Sequence, residues 1–323
     1  MAVAPLSAKL ARRLGVVDRP AGYKQHEVAT PYLGGLAIAV GLAAGGACVV
    51  FLPQASTSEL VRLAVSGGLA ALALAGLGLF DDVRPLPAVL KLVFEIAASL
   101  VAWWLDFAVV ITPWEWANVL LTVIWIVGVT NAFNLLDNMD GLSAGVAAVA
   151  ATSFAVMGFL SGDPALGIVA AAMAGGCVGF LSHNRYPAKL FMGDSGSLLL
   201  GFLLALIGVR LQFDNLLEVT FLVPVVVLGV PIFDTTLVVL GRVTHGRGPF
   251  TPGRDHISHR LVAIGLPVKE SVALLYWAGA ALGWLGLVIT RSNVQVGWML
   301  LGFVCAMALF FGRLLWQVPV YET

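Results

Sequence analysis

The sequence predicts an all-α, polytopic integral membrane bundle of about ten transmembrane helices, with both termini cytoplasmic. Three observations carry this expectation. Of 323 residues, 59% are hydrophobic and 11% charged, where a soluble domain carries about 25% charge; the mean hydropathy is +0.95. Apolar stretches near the ~20 residues that span hydrocarbon recur along the whole chain. Lys and Arg gather in alternate connecting segments, as the positive-inside rule requires. One membrane-embedded domain over 1–323 is expected, with no separate soluble domain. The net charge of zero says nothing about partners, and no nucleic acid is expected among them.

The apolar stretches fall at 33–52, 60–80, 89–105, 116–133, 142–160, 164–182, 196–212, 217–240, 271–290 and 296–316. Their unbroken apolar runs lack period-two alternation, which excludes a closed β-barrel. Ahead of the first crossing, SAKLARRLGVV reads as a basic amphipathic helix at the membrane surface. Small residues such as AAMAGG around Met173 allow close helix contact. Pro224 and Pro231 are expected to bend the eighth helix. Cys48, Cys177 and Cys305 lie in separate apolar stretches without disulfide or metal spacing and read as packing residues.

Orientation follows from the bases. With the N-terminus inside, only Arg62, Arg210 and Arg291 of the 18 Lys and Arg fall on the outer side. All five histidines (His26, His183, His245, His256, His259) fall inside. The longest polar segment, 241–270, is long enough for an arm over a site facing the cytoplasm.

Five polar stretches interrupt the apolar chain: DRPAGYKQH from Asp18, FDDVRP from Phe80, NAFNLLDNMDG from Asn131, HNRYPAKLFMGDSGS from His183 and RGPFTPGRDHISHR from Arg247. A carboxylate at mid-membrane costs roughly 2.5–3.5 kcal/mol or more, so acids collected at one face point to a site. Asp81 and Asp82 end a helix, where the dipole disfavours acids; a solvated helix end is the plain alternative to a metal-binding or proton-accepting pair. Lys91 opens the next helix and either snorkels or holds a phosphate. Asn131, Asn134 and Asp137 recur every third residue and can share one broad helix face, with Asp140-Gly141 as the helix end. Such groups on an apolar helix need a wet cavity, a ligand or a structural hydrogen-bond network. Asp194 lies between glycines before an apolar helix and reads as an N-cap or as a metal ligand beside an anion-facing helix terminus. Phe191 packs or stacks on a base. His256 and His259, flanked by Arg254 and Arg260, suit phosphate better than zinc. Lys24 and His26 precede the first crossing as a phosphate-binding or merely interfacial pair. Asp234 is expected to be a buried hydrogen-bonding partner. Together these groups offer acids for a hard cation, bases for phosphates, and amides (Asn131, Asn184) with an aromatic for a nucleobase. Oxygen ligands favour Mg2+ over zinc, with Mn2+ as a substitute. The combination points to phosphoryl-group chemistry on a nucleotide-linked substrate.

FDDVRP, NAFNLLDNMDGLSAG, FMGDSGSLLLG and PFTPGRDHISHRL resemble, in order, the motifs of the polyprenyl-phosphate N-acetylhexosamine-1-phosphate transferases, glycosyltransferase family 4. DRPAGYKQHEVATPYLGGLAI is similar to that family's first cytoplasmic segment, and the similarity runs from about Val17 to Gly265. The resemblance implies a Mg2+-dependent enzyme of the bacterial inner membrane that moves a sugar 1-phosphate from a UDP-N-acetylhexosamine to undecaprenyl or another polyprenyl phosphate, releasing UMP. By position, Asp81 resembles the acid that activates the lipid phosphate, with Asp82 its support. Asp137 matches an acid of the catalytic centre, and Asn134 and Asp194 match metal ligands. Asp140 and Phe191 match the uracil-facing positions. Lys91, His256, His259 and Arg260 match phosphate-holding groups. Ser258 stands where the family's arm often has a further histidine, and takes no role here. The branch using UDP-N-acetylglucosamine is the closer one; the muramoyl-pentapeptide branch, and from another class a secondary transporter, are the alternatives. A homodimer is left open.

Overall fold

A computed structural model describes residues 3–18, 29–48, 57–211 and 219–320. Lys24 and His26 therefore lie outside the described residues. The chain divides into two compact units, Met1–Leu211 and Gln212–Thr323.

In the first unit, α1 (Val3–Leu14) leads into a two-residue strand β1 (Val17–Asp18), paired antiparallel with β2 (Thr30–Pro31). Seven helices follow: α2 (Gly34–Cys48), α3 (Thr57–Val83), α4 (Ala88–Trp104), α5 (Glu115–Leu136), α6 (Leu142–Leu160), α7 (Pro164–Asn184) and α8 (Gly193–Arg210). α8 is the core element: every residue from Ser195 to Gly208 is buried, and α2, α3, α5 and α6 all pack on it. Small residues permit this crowding. A Cβ at Gly201 would lie 2.7 Å from the Thr130 backbone of α5, and one at Gly35 would lie 2.4 Å from the Gly196 nitrogen. α7 starts with Pro164 behind Asp163, whose carboxylate accepts the Leu166 N–H at 2.9 Å, an N-cap followed by a proline whose missing donor costs nothing there.

In the second unit, a 3-10 turn (Thr220–Leu222) runs into α9 (Val223–Val227), α10 (Gly229–Thr244), the short α11 (Ile257–Ala263), α12 (Val268–Arg291) and α13 (Val294–Trp316). Asn293 caps α13 by accepting the Val296 N–H at 2.9 Å. The segment expected to bend does so by 71° between α9 and α10. Pro231 has no N–H to give the Val227 carbonyl, so the ladder breaks there.

Among the described residues, six helices (α5, α6, α7, α8, α12 and α13) are long and apolar enough to cross a membrane, and the bent pair makes a seventh if it is one span. The remaining expected crossings also fold as helices: α2 has 15 residues, α3 27 and α4 17. The chain is a helical, multi-pass membrane protein.

One local expectation changes. α5 ends at Leu136, a turn before Asp140-Gly141, and Asp137 is its C-cap. Side chains satisfy the early exit: Asn138 Nδ2 returns to the Leu135 carbonyl at 2.8 Å, and the Gly141 N–H donates to Asn184 Oδ1 at 3.0 Å. Asp137, as the C-cap, keeps its N–H on the Asn134 carbonyl.

Candidate active site

The acids at the end of α3 divide their work. Asp82 faces the start of α8: its Oδ1 accepts the Asp194 N–H at 2.8 Å and its Oδ2 the Ser195 N–H at 3.3 Å. It is a capping carboxylate supplied by another helix, where orphan amides and the dipole both favour negative charge. Gly193 makes room with φ +72°, and a Cβ there would stand 2.4 Å from Asp82 Oδ2. Asp81 points elsewhere: Oδ1 accepts the Leu86 N–H at 2.6 Å, and Oδ2 accepts from Lys91 Nζ at 3.1 Å.

Lys91 joins three helices. Its ammonium also reaches Asp194 Oδ2 at 2.8 Å. Asp194 Oδ1 accepts from Asn134 Nδ2 at 3.0 Å, and that amide also donates to Ser197 Oγ at 3.0 Å. Asp81, Lys91, Asn134 and Asp194 come from α3, α4, α5 and α8 and form one hydrogen-bonded array. One turn beyond Lys91, buried Glu95 accepts from Asn131 Nδ2, which also donates to the Val127 carbonyl. Asn131 is thus tied to a buried acid.

Positive charge is already held between two carboxylates at Lys91, and the oxygens around it are those of Asp81, Asp194 and the Ser197 hydroxyl, with Asn134 presenting its Nδ2. Among the described residues no three His, Cys, Asp or Glu side chains converge on one metal position. This set fits a hard cation that keeps waters or phosphate oxygens as its other ligands.

The half-buried Asp137 stands near the array. Burial raises its pKa to about 8, and the charges of Asp194, Asp82 and Asp140 push the same way. It holds its proton through neutral pH. Asp140 Oδ2 accepts the Ala188 N–H at 2.8 Å, which latches the turn after α5 to the loop before α8. Asn184 strengthens the latch: it is buried, and besides Gly141 it reaches the Leu190 carbonyl through Nδ2 at 3.0 Å. Phe191 is half-buried with its ring 6.0 Å from that of Tyr32, and its N–H bonds the Pro31 carbonyl at 2.9 Å. The Tyr32 hydroxyl is pushed well above its usual pKa by burial, then by the carboxylates of Asp18, Asp82 and Asp137.

In the second unit a separate polar network surrounds the histidines. Arg242 is 2% exposed and grips Asp255 with Nε to Oδ2 and Nη2 to Oδ1, each at 2.8 Å, a bidentate pair. His256, 3% exposed, shares Nδ1 with Asp234 Oδ2 at 2.7 Å, while Asp234 Oδ1 accepts the Ile257 N–H at 2.7 Å. Asp234 is the buried partner expected. His259 lies 6.4 Å from His256, ring to ring. Burial, then the charges of His256 and Arg254, lower its pKa to about 4; it is a neutral imidazole at pH 7. Arg260 is buried, with Nε on the Asp255 carbonyl at 2.8 Å and Nη1 on the Leu315 carbonyl at 2.7 Å. Its guanidinium fixes the start of α11 to the end of α13.

The structure therefore brings together Asp81, Asp82, Lys91, Asn134 and Asp194, with Asp137, Asp140, Phe191, Asn131 and Asn184 on the elements around them. His256, His259 and Arg260 form their own group within the second unit. Glu95, Tyr32, Asp255 and the role of Arg242 escaped the sequence reading. An isolated acid in an apolar helix marks Glu95, and Arg242 was visible only as an inside charge. No pattern marks Tyr32.

Residues 64–212 match the model for "Glycosyl transferase family 4", a span holding every member of the first unit's array. The chain is similar to a probable undecaprenyl-phosphate N-acetylglucosaminyl 1-phosphate transferase of Bacillus subtilis (strain 168), 32% identical over 317 residues, covering 95% of this chain and 86% of that protein. It is 34% identical over 310 residues to a decaprenyl-phosphate N-acetylglucosaminephosphotransferase of Mycolicibacterium smegmatis, covering 84% of this chain and 74% of that protein. It is 25% identical over 321 residues to an undecaprenyl-phosphate alpha-N-acetylglucosaminyl 1-phosphate transferase of Escherichia coli O157:H7, covering 94% and 84%. By these matches the chain belongs to glycosyl transferase family 4.

Proposed function

We propose that the protein transfers N-acetylglucosamine 1-phosphate from UDP-N-acetylglucosamine to a polyprenyl phosphate, giving a polyprenyl-diphosphate-linked sugar and UMP. One observation carries the reading: Asp81, Lys91, Asn134 and Asp194, from four helices, form a single array of two acids, an ammonium and an amide. The printed functions of the three relatives agree with it.

A lipid phosphate oxygen attacks the sugar-linked phosphorus of the donor; the new P–O bond forms as the bond from that phosphorus to the bridging oxygen breaks, and UMP leaves. Both partners are anions, so cationic groups must offset their repulsion. Lys91 supplies one such charge and, once a substrate phosphate draws it away, frees Asp81. Asp81 then orients or deprotonates the lipid phosphate. Asp82 holds the start of α8, and through it Asp194, in place. Asn134 fixes the Asp194 carboxylate. Asp137, protonated at rest, would donate a hydrogen bond to a phosphate oxygen or release its proton when positive charge arrives. Asp194 and Asn134 would hold Mg2+, or Mn2+ in its place, which when bound supplies charge neutralisation of the diphosphate. His256, oriented by Asp234, and His259 would contact phosphate by hydrogen bonding. Arg260 is engaged with backbone carbonyls, so a phosphate role for it would require those bonds to open. Phe191 and Asp140 would border the base.

The ten-crossing topology, cytoplasmic site, plasma-membrane location, single 1–323 domain and arm over 241–270 belong to the same proposal. The one-sided Lys and Arg distribution supports them. The test uses purified protein, radiolabelled UDP-N-acetylglucosamine, polyprenyl phosphate and Mg2+. A lipid-extractable labelled product with stoichiometric UMP is expected. No product from any UDP-N-acetylhexosamine would sink the reading.

A further inference from the structure

We propose, resting on the transferase reading above, that the Glu95–Asn131 pair is a positioning pair for the reaction, holding Lys91 against Asn134 and Asp194. Glu95 is 2% exposed inside α4, and an acid in an apolar membrane helix is costly unless it is paired and used. It lies one turn, about 6 Å, beyond Lys91 on the same helix face. Asn131 stands one turn, about 4.5 Å, before Asn134 on α5. α4 runs away from the array and α5 runs back to it, so the two helices face each other across two rungs. The upper rung is indirect: Lys91 Nζ reaches Asp194 Oδ2 at 2.8 Å, and Asn134 Nδ2 reaches Asp194 Oδ1 at 3.0 Å, both through α8. The lower rung is direct, from Asn131 Nδ2 to Glu95 Oε2. Among the described residues no other hydrogen bond joins α4 to α5. The three helices thus form a triangle whose α4–α5 side is closed by Glu95 and Asn131.

The chemistry of the amide fixes its task. Asn131 Nδ2 carries two N–H donors; one goes to Glu95 and the other to the Val127 carbonyl at 3.0 Å. Reversing the amide would set Oδ1 against two acceptors. Asn131 therefore keeps no N–H for a nucleobase, and its donors serve the contact between helices. A shift of about 1 Å at reacting groups can cost 10²-fold in rate, so the spacing of α4 from α5 bears on turnover without either residue touching substrate.

The experiment measures kcat and KM for UDP-N-acetylglucosamine, per folded protein in lipid nanodiscs, with polyprenyl phosphate and Mg2+. Glu95→Leu should lower kcat about 10–100-fold, the range for a supporting partner behind a site, with KM little changed. Glu95→Gln, whose side-chain oxygen can take the same N–H, should recover most of the loss. Glu95→Leu/Asn131→Leu strands no polar group, so its unfolding midpoint should match or exceed the parent's while kcat stays as low as in Glu95→Leu. If Glu95→Leu does not fold, the double variant carries the test. Parental kcat in the double variant, Glu95→Gln as slow as Glu95→Leu, or a raised KM at unchanged kcat in Asn131→Leu would each overturn the positioning role alone. A parent without transferase activity would overturn it together with the transferase reading.

Discussion

Gly193→Ala attacks the joint on which Asp194 depends. Gly193 has φ +72°, a conformation that costs an L-residue about 1–2 kcal/mol. The new methyl would stand 2.4 Å and 2.7 Å from the Asp82 carboxylate oxygens, so Asp82 must withdraw from the Asp194 and Ser195 amides. Hydrogen bonds to charged groups contribute about 1.5–3 kcal/mol, and the 2.8 Å bond should carry most of that. The expected loss is roughly 3–5 kcal/mol in all. It should be read as unfolding free energy in mixed detergent micelles, with turnover measured in parallel. Gly76→Ala is the control: it lies in α3 with nothing within 4 Å of the added methyl, and a helical Gly→Ala gains up to about 1 kcal/mol. In the Asp82→Ala background, Gly193→Ala should lose most of its extra cost, because the colliding carboxylate is gone. A Gly193→Ala protein within 1 kcal/mol of the parent and fully active would refute the capping argument.

Three further outcomes are expected. Asp194→Asn and Lys91→Met should each lower turnover by about 10²–10³-fold, the range for losing one preorganised charge-stabilising group; unchanged turnover in either, with folding intact, removes the array from the mechanism. Asp255→Asn should cost about 3–5 kcal/mol by stranding the buried Arg242 guanidinium, while Arg242→Met/Asp255→Leu should recover most of it; equal losses in single and double variants, measured by the same unfolding assay, would contradict a paired charge. Asp137 has its pKa raised to about 8, so the folded state binds its proton more tightly than the unfolded chain does. Its contribution to stability is fully present below the usual Asp pKa, near 4, and is lost as pH rises through about 8. Asp137→Asn should flatten that part of the pH–stability curve measured in EDTA, and an unaltered curve would exclude this origin.

Helix class and the order of elements were legible because a bilayer leaves a chain few choices: apolar runs near 20 residues must satisfy their backbone internally. All ten apolar stretches contain helix. The polar interruptions were equally visible, since charge in such a chain is costly. Individual roles were less so. Asp81 and Asp82 are neighbours in sequence and look alike; the start of α8, 111 residues beyond Asp82, makes one a cap and leaves the other beside Lys91. The three-residue repeat of Asn131, Asn134 and Asp137 was visible, but Asp140-Gly141 looked like the helix end, whereas α5 ends at Leu136, with side-chain bonds from Asn138 and Asn184 in the turn that follows.

The sequence by itself determined that this is a helical membrane protein whose apolar chain is interrupted by acids, bases and amides, because composition and spacing act locally along the chain. Tertiary structure alone decided which acid meets which base. Lys91 bridges Asp81 and Asp194, Asn131 meets Glu95, and Arg260 reaches the Leu315 carbonyl, because these pairs arise from helices brought together by small residues and buried surface, a geometry no single segment encodes.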